Sequence, residues 1–369
     1  MERLASRGHE LFLITGLRPG EKEHLYEVTY FCTVLDAIEI PWSKGEIAKA
    51  VMQWLFRAGK GGLTFRRKCA FAIDKFSKQI RFDIIQVEHT ELGDCIKGPM
   101  DVPTIIDAHD VILKPALREY ELAKGMRKVV KYIKFEMVKR KEISTYKRFT
   151  KVFARSEFDR NMLLSYRGDL DVAILRAYAR IEDFSGKAGT REAGLLLYVG
   201  AMNRTANIDA VRYFYEKVFP LIKREVPGAK FSIVGNKPPE EITRIGREDN
   251  DVIVTGFVDD IKPYYLKASV FVAPLFVGGG VIVKILDALA AGIPVVTTSV
   301  GNEGIDAVPD KDILIANEAA EFAEKVILLL KDKERSQCIS ENGRAFVQDK
   351  FRWDNVIQEL EDEYKRLMA

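Results

Sequence analysis

Six short runs in the back half of the chain are apolar throughout rather than at every second position: 195–200 (LLLYVG), 230–235 (KFSIVG), 252–258 (VIVTGFV), 270–276 (VFVAPLF), 293–299 (IPVVTTS) and 312–316 (DILIA). A strand with one face in water alternates, so unbroken runs of this kind are strands covered on both faces. The stretches between them, 207–224, 239–246, 260–268, 281–291 and 318–330, are amphipathic and of helical length. Strand and helix in alternation predict a parallel sheet with helices on both sides, a doubly wound α/β domain.

The same alternation returns in looser form in front, with strands expected at 11–15, 37–41, 83–87, 104–108, 152–154 and 172–175. A chain of 369 residues exceeds what one hydrophobic core usually supports, so a second α/β domain is expected there. Apolar periodicity lapses and glycines gather at 180–194 (RIEDFSGKAGTREAG), which predicts domains at 1–180 and 195–350 joined by a linker at 181–194, with a terminal helix at 351–369. The chain opens on a predicted helix, 1–7, ahead of the strand LFLIT. A domain of this kind normally starts with a strand and a turn, so that element is expected to be missing ahead of Met1.

Charge is distributed unevenly. The net charge is only +3, but residues 1–180 hold 33 Lys and Arg against 24 Asp and Glu, and residues 124–151 alone hold 11 basic side chains against Glu136 and Glu142. That is a local basic surface rather than a basic protein. Cys32, Cys69, Cys95 and Cys338 are isolated, with no C-x-x-C pair, so neither a zinc site nor a disulfide framework is signalled. No apolar run approaches the ~18 residues that span a bilayer, and no signal-peptide core follows Met1. The expected compartment is the cytoplasm, with peripheral attachment to the inner face of the membrane left open.

The segment 274–292, PLFVGGGVIVKILDALAAG, carries the chemistry. A buried strand runs into three glycines and then into a helix, an arrangement that clears Cβ atoms from the approach to unpaired backbone N–H groups and suits a phosphate. Lys284 and Asp287 lie three apart on that helix, with the lysine placed to reach a diphosphate and the carboxylate to accept from ribose hydroxyls. A connector with tolerated glycines and an exposed ion pair is the bland alternative. No G-x-G-x-x-G with a following acid, no P-loop, no G-x-S-x-G and no H-E-x-x-H is present. Asp169 and Asp171 form D-L-D, best read as solvated loop carboxylates, and no metal site is expected.

From 195 onward, VGAMNRTANIDAVRYFYEKVFPLIKREVPGAKFSIVGNKPP and then VTGFVDDIKPYYLKASVFVAPLFVGGGVIVKILDALAAGIPVVTTSVGNEGI resemble the donor domain of GT-B glycosyltransferases, group 1 or GT4 class, in a branch bearing GGG. QVEHT at 86–90, IIDAHDV at 105–111 and KVFARSEFDRNML at 151–163 are more weakly similar to the acceptor domain of that family. The resemblance implies two Rossmann-like domains facing across a cleft, a last helix that crosses back to the first domain, and retaining, metal-independent sugar transfer. It implies that Gly278, Gly279 and Gly280 loop over the donor diphosphate with Val281 beside them, that Lys284 and Arg204 contact the phosphates, and that Asp287 holds the ribose. Gly256, Phe257 and Val258 then meet the nucleobase, and His109 faces the donor sugar. Departures are Gly279 where Glu is frequent, Val281 and Ile282 where the branch carries Thr or Ser and Arg, and Asp287 in place of Glu.

No bound cofactor is expected, only a UDP- or GDP-linked sugar donor and a glycan or lipid-linked acceptor. The basic, partly apolar segment 124–151 suits an anionic membrane surface and lacks any nucleic-acid recognition motif. Two other readings compete: a silent relative that binds a partner or a membrane, and a sugar-nucleotide epimerase.

Overall fold

The computed structural model describes residues 1–17, 20–39, 63–184, 191–277 and 280–369. It divides into two compact units, one of Met1–Leu175 with Ile357–Ala369 and the other of Arg176–Val356.

In the first unit, β1 (Phe12–Leu17) and β2 (Thr33–Glu39) pair in parallel, and β3 (Ile85–Glu88), β4 (Thr104–Asp107), β5 (Lys151–Ala154) and β6 (Val172–Ile174) form a parallel sheet in chain order. Strands β4 and β5 are buried along their whole length, in keeping with the apolar letters II and VFA at their centres. Two buried polar devices fix the helices that follow them. The Glu142 carboxylate accepts the N–H groups of Ile112 and Leu113 at 2.8 and 2.7 Å, where the helix Leu113–Leu122 begins. Such a carboxylate satisfies donors that the helix itself leaves unpaired and lies at the favourable end of its dipole. Lys114 and Asp159, both nearly inaccessible, pair at 2.6 Å and tie that helix to the helix Glu157–Tyr166.

The second unit is one six-stranded parallel sheet, β7 (Leu195–Val199), β8 (Lys230–Val234), β9 (Val252–Gly256), β10 (Val270–Ala273), β11 (Val295–Thr297) and β12 (Leu314–Ile315), in the order β12-β11-β10-β7-β8-β9. All six runs expected from the sequence are present as strands. The chain winds outward from β7 to β9, returns to the centre at β10 and winds outward on the other side. Loops leaving β7 and β10 therefore part to opposite faces and open a crevice at the carboxyl ends of those two strands, the usual place for a ligand in such a sheet.

The expected helix 207–224 is interrupted. It runs as Thr205–Tyr213, passes through a π turn at Phe214–Val218 and resumes as Phe219–Glu225. Pro220 has no N–H to give and its ring crowds the preceding turn, so the ladder slips by one residue before the helix restarts. The helix expected over 281–291 begins at Val283 and ends at Ala290. The last helix, Trp353–Met368, starts in the second unit and ends in the first, where Glu361 pairs with Arg7 and His9 at 3.2 and 3.0 Å and Tyr364 donates to Gln86 at 2.7 Å.

Candidate functional site

At the β7/β10 crevice the backbone is packed too tightly for side chains. A Cβ on Gly235 would fall 1.8 Å from the carbonyl oxygen of Gly200, and one on Gly200 would lie 2.9 Å from Lys284 Nζ. Glycine at both positions lets the loop after β7 rest on the loop after β8, with the lysine ammonium directly beneath it.

Lys284 enters from the first turn of the helix Val283–Ala290 and points inward. Its Nζ donates to the hydroxyl of Tyr198 at 2.8 Å and to Oδ1 of Asn207 at 2.7 Å, and sits 4.3 Å from the Tyr198 ring centre. Tyr198 donates in turn to Asn207 Oδ1 at 2.8 Å, and the Asn207 amide donates to the carbonyl of Ala201 at 2.8 Å, which pins the loop. Every acceptor offered to the ammonium is neutral, and among the described residues it has no carboxylate partner. Burial, followed by repulsion from Arg204, pulls the Lys284 pKa down to about 7. Arg204 is exposed at the N-terminus of the helix Thr205–Tyr213. Two basic side chains with neutral surroundings at a sheet's switch point make the potential there favourable for an anion.

The other residues expected around a nucleotide are positioned as follows. Asp287 is buried at 2% exposure and engaged in a fork with Arg180, at 2.5 Å from Nη2 and 3.3 Å from Nε. Lys284 and Asp287 do not pair with each other, so the exposed ion pair that their spacing also permits does not form. Gly256 ends β9 with φ +70°, a left-handed conformation that favours glycine, and turns the chain so that Phe257 stands 73% exposed while Val258 packs on the core. Gly280 and Val281 lead into the helix, with Val281 packed against the core; Gly278 and Gly279 lie outside the described residues.

In the first unit, His109 lies just beyond β4 in a cluster drawn from the ends of three neighbouring strands. Its Nε2 is 2.7 Å from Glu88 Oε2, 3.7 Å from Asp107 Oδ2 and 3.2 Å from Arg155 Nη2, and its ring lies 4.2 Å from that of His89. One ring nitrogen cannot both donate and accept. The shorter contact goes to a carboxylate, which only accepts, so Nε2 carries the hydrogen and Nδ1 of the neutral ring is an acceptor. Arg155 is bound instead to Asp107 at 2.5 Å. Burial raises the Asp107 pKa to about 6 against the pull of Arg155, and one of its oxygens has no hydrogen-bond partner among the described residues. Burial also pushes Glu88 up, but hydrogen bonds from His109 and Gln86 outweigh it and leave its pKa lowered. Glu88, Asp107 and His109 offer a cation three ligand atoms within 4.8 Å of one another, but the Arg155 guanidinium already supplies positive charge there.

Tyr198, Asn207 and Arg180 were not expected from the sequence, and neither were Asp107 and Arg155 around His109. Tyr198 is one letter in an apolar strand and Asn207 one polar letter early in a helix. The only available signal is that a tyrosine hydroxyl inside a strand buried on both faces must find a partner.

Residues 193–332 match the family described as Glycosyl transferases group 1. An uncharacterized 44.6 kDa protein in the cps region of Klebsiella pneumoniae is 29% identical over 172 residues, 45% of this chain and 44% of that protein. A GDP-mannose-dependent alpha-(1-6)-phosphatidylinositol monomannoside mannosyltransferase of Mycobacterium tuberculosis (strain CDC 1551 / Oshkosh) is 31% identical over 157 residues, 39% of this chain and 41% of that one. The chain thus aligns with less than half the length of these curated relatives. Among solved structures, sucrose-phosphate synthase from Thermosynechococcus elongatus superposes with a TM-score of 0.74 at 16% identity, covering 100% of this chain and 91% of that one. Anabaena HepE in complex with UDP and glucose superposes with a TM-score of 0.62 at 14% identity, over 93% and 88%. The fold is that of the GT-B glycosyltransferases.

Proposed function

From the group 1 glycosyltransferase domain in residues 193–332, we propose that the chain transfers a sugar from a UDP- or GDP-linked donor to a glycan or lipid-linked acceptor. The observation that carries this reading is the pair of cations at the β7/β10 crevice, a mostly buried Lys284 with neutral partners only and an exposed Arg204 beside it. In the reaction the bond from the anomeric carbon to the β-phosphate oxygen breaks and its electron pair stays on the diphosphate. A new bond forms to an acceptor hydroxyl oxygen, whose proton passes to the departing diphosphate oxygen. The charge that develops on the departing diphosphate is met by groups already held in place, and such preorganisation is usually the largest single contribution to catalysis.

Phe257 offers an exposed ring for the nucleobase, and a ribose hydroxyl would share Asp287 with Arg180. His109, with Nδ1 as an acceptor, would take a hydroxyl of the sugar. Retention at the anomeric carbon and independence of a metal complete the reading, with Lys284 and Arg204 meeting the diphosphate charge in place of a divalent ion. The relatives' printed names support the substrate class, with GDP-mannose and a phosphatidylinositol mannoside in one and capsular polysaccharide biosynthesis in a Staphylococcus aureus protein. A lipid-linked acceptor also implies work at the inner face of a membrane, against the basic segment 124–151.

Nucleoside diphosphate should raise the melting temperature of the chain, and Lys284→Ala should remove that shift. Absence of any shift with UDP, GDP or ADP overturns the proposal.

A further inference from the structure

The helix Met126–Tyr146 is apolar on two opposite sides, and only one of them is covered. Phe135, Glu142 and Tyr146 lie on the face that packs into the first unit. At about 100° per residue, Met126, Val129, Val130, Ile133 and Met137 gather on the far side of the helix. Their exposures are 83%, 54%, 65%, 54% and 50%, a continuous apolar stripe over three turns. Leu122, at 80%, extends it past the helix start, and every residue of 124–130 is exposed, while Lys128 and Lys131 on the other side reach back to Tyr120 and Glu119 of the preceding helix.

The stripe is bordered by cations. Arg127 stands beside its beginning and Arg140 beside its end, with Lys124 just ahead of the helix, all exposed, whereas Lys128 lies on the other side over the Tyr120 ring. Nearby acids do not neutralise this border: Glu119 is taken by Lys131 and Lys134, Glu136 chiefly by Lys139, and Glu142 is buried as a helix cap. No helix among the described residues is long and apolar enough to cross a membrane, so the stripe is not part of a span.

We propose that this face is an interfacial anchor that lays the helix Met126–Tyr146 flat on an anionic bilayer, with Met126, Val130 and Ile133 among the acyl chains and the flanking ammonium and guanidinium groups at the phosphates. Long basic side chains suit this role because their methylene stems follow the apolar surface while the charge remains in water. Charge complementarity selects this occupant over a second copy of the chain, which would bring the same cations against it. The inference rests on the membrane-side acceptor reading given above and names the face that carries it, but it uses no residue of the crevice, so a failed donor site and a failed anchor remain distinguishable.

Cosedimentation of the full chain with vesicles tests it. Binding should occur with phosphatidylglycerol-containing vesicles, weaken with salt, and be absent with phosphatidylcholine alone. Met126→Ser combined with Val130→Ser and Ile133→Ser should abolish binding at low salt. Lys124→Gln with Arg127→Gln should weaken it about 25-fold, about fivefold per basic residue. All five side chains are exposed, so both variants should keep their melting temperature in the absence of vesicles, and Lys284→Ala should bind vesicles like the parent chain. Equal binding to both vesicle types, undiminished binding by the serine variant, or a dimer in sedimentation velocity that this variant dissolves would each overturn the proposal.

Discussion

At the scale of single residues, the crevice turns on a lysine whose charge is costly to keep. Burial holds the folded pKa of Lys284 at about 7, whereas a lysine in an unfolded chain titrates near 10.4. Between those values the unfolded chain binds a proton that the folded chain has lost, so this residue makes stability rise with pH across that window. A bound diphosphate restores the ammonium form, so binding above neutral pH must take up a proton. Affinity for nucleoside diphosphate should fall by up to about tenfold per pH unit above pH 7. Calorimetry in buffers of different ionisation enthalpy should register proton uptake at mildly alkaline pH, and an affinity that is flat with no uptake contradicts the assignment. Lys284 itself was legible, because a lysine on an otherwise apolar helix after a glycine run stands out. Its inward turn was not, since nothing local marks Tyr198 and Asn207 as its partners. Asp287 stood out as a polar letter on an apolar helix, but its fork with Arg180 joins residues 107 apart in the chain, and no spacing rule reaches that far.

At the scale of elements, the central strands β7, β8, β10 and β11 could be read in advance because they are buried on both faces and spelled in β-branched and apolar letters. Their ends were less certain, and the helix around Pro220 broke where its ring disrupts the ladder. Less visible still was how helix ends are held together. Arg191, in the glycine-bearing stretch expected to be a linker, gives Nη1 to the carbonyls of Tyr265 and Ala268 at 2.8 and 3.0 Å and Nη2 to those of Ala291 and Gly292, both at 2.8 Å. These are the final carbonyls of the helices Lys262–Lys267 and Val283–Ala290, the second of which bears Lys284. A guanidinium meets the negative ends of both dipoles at once. Arg191→Ala should destabilise the second unit by about 3 kcal/mol in denaturant unfolding, because several partly buried carbonyls lose a charged donor. Arg191→Lys should recover less than half of that, since one ammonium cannot fork to two helix ends. A change within experimental error for the alanine variant would show the clamp to be dispensable.

At the scale of the whole molecule, each unit has its own buried core, and every residue assigned to the diphosphate belongs to the second. A ligand stabilises only what it binds, by about 2.7 kcal/mol at a concentration a hundred times its dissociation constant. Scanning calorimetry should therefore resolve two transitions, with nucleoside diphosphate raising one of them and leaving the other where it was. A single transition that moves as one would show the units to be energetically fused.

Only the second unit is an unbroken stretch of chain. The first recruits Ile357–Ala369, whose Glu361, Glu363 and Tyr364 reach Arg7, His9, Lys151 and Gln86. During synthesis the amino-terminal half must wait, with those partners unmet, until residues 357–369 have been made. The half made first is the half finished last.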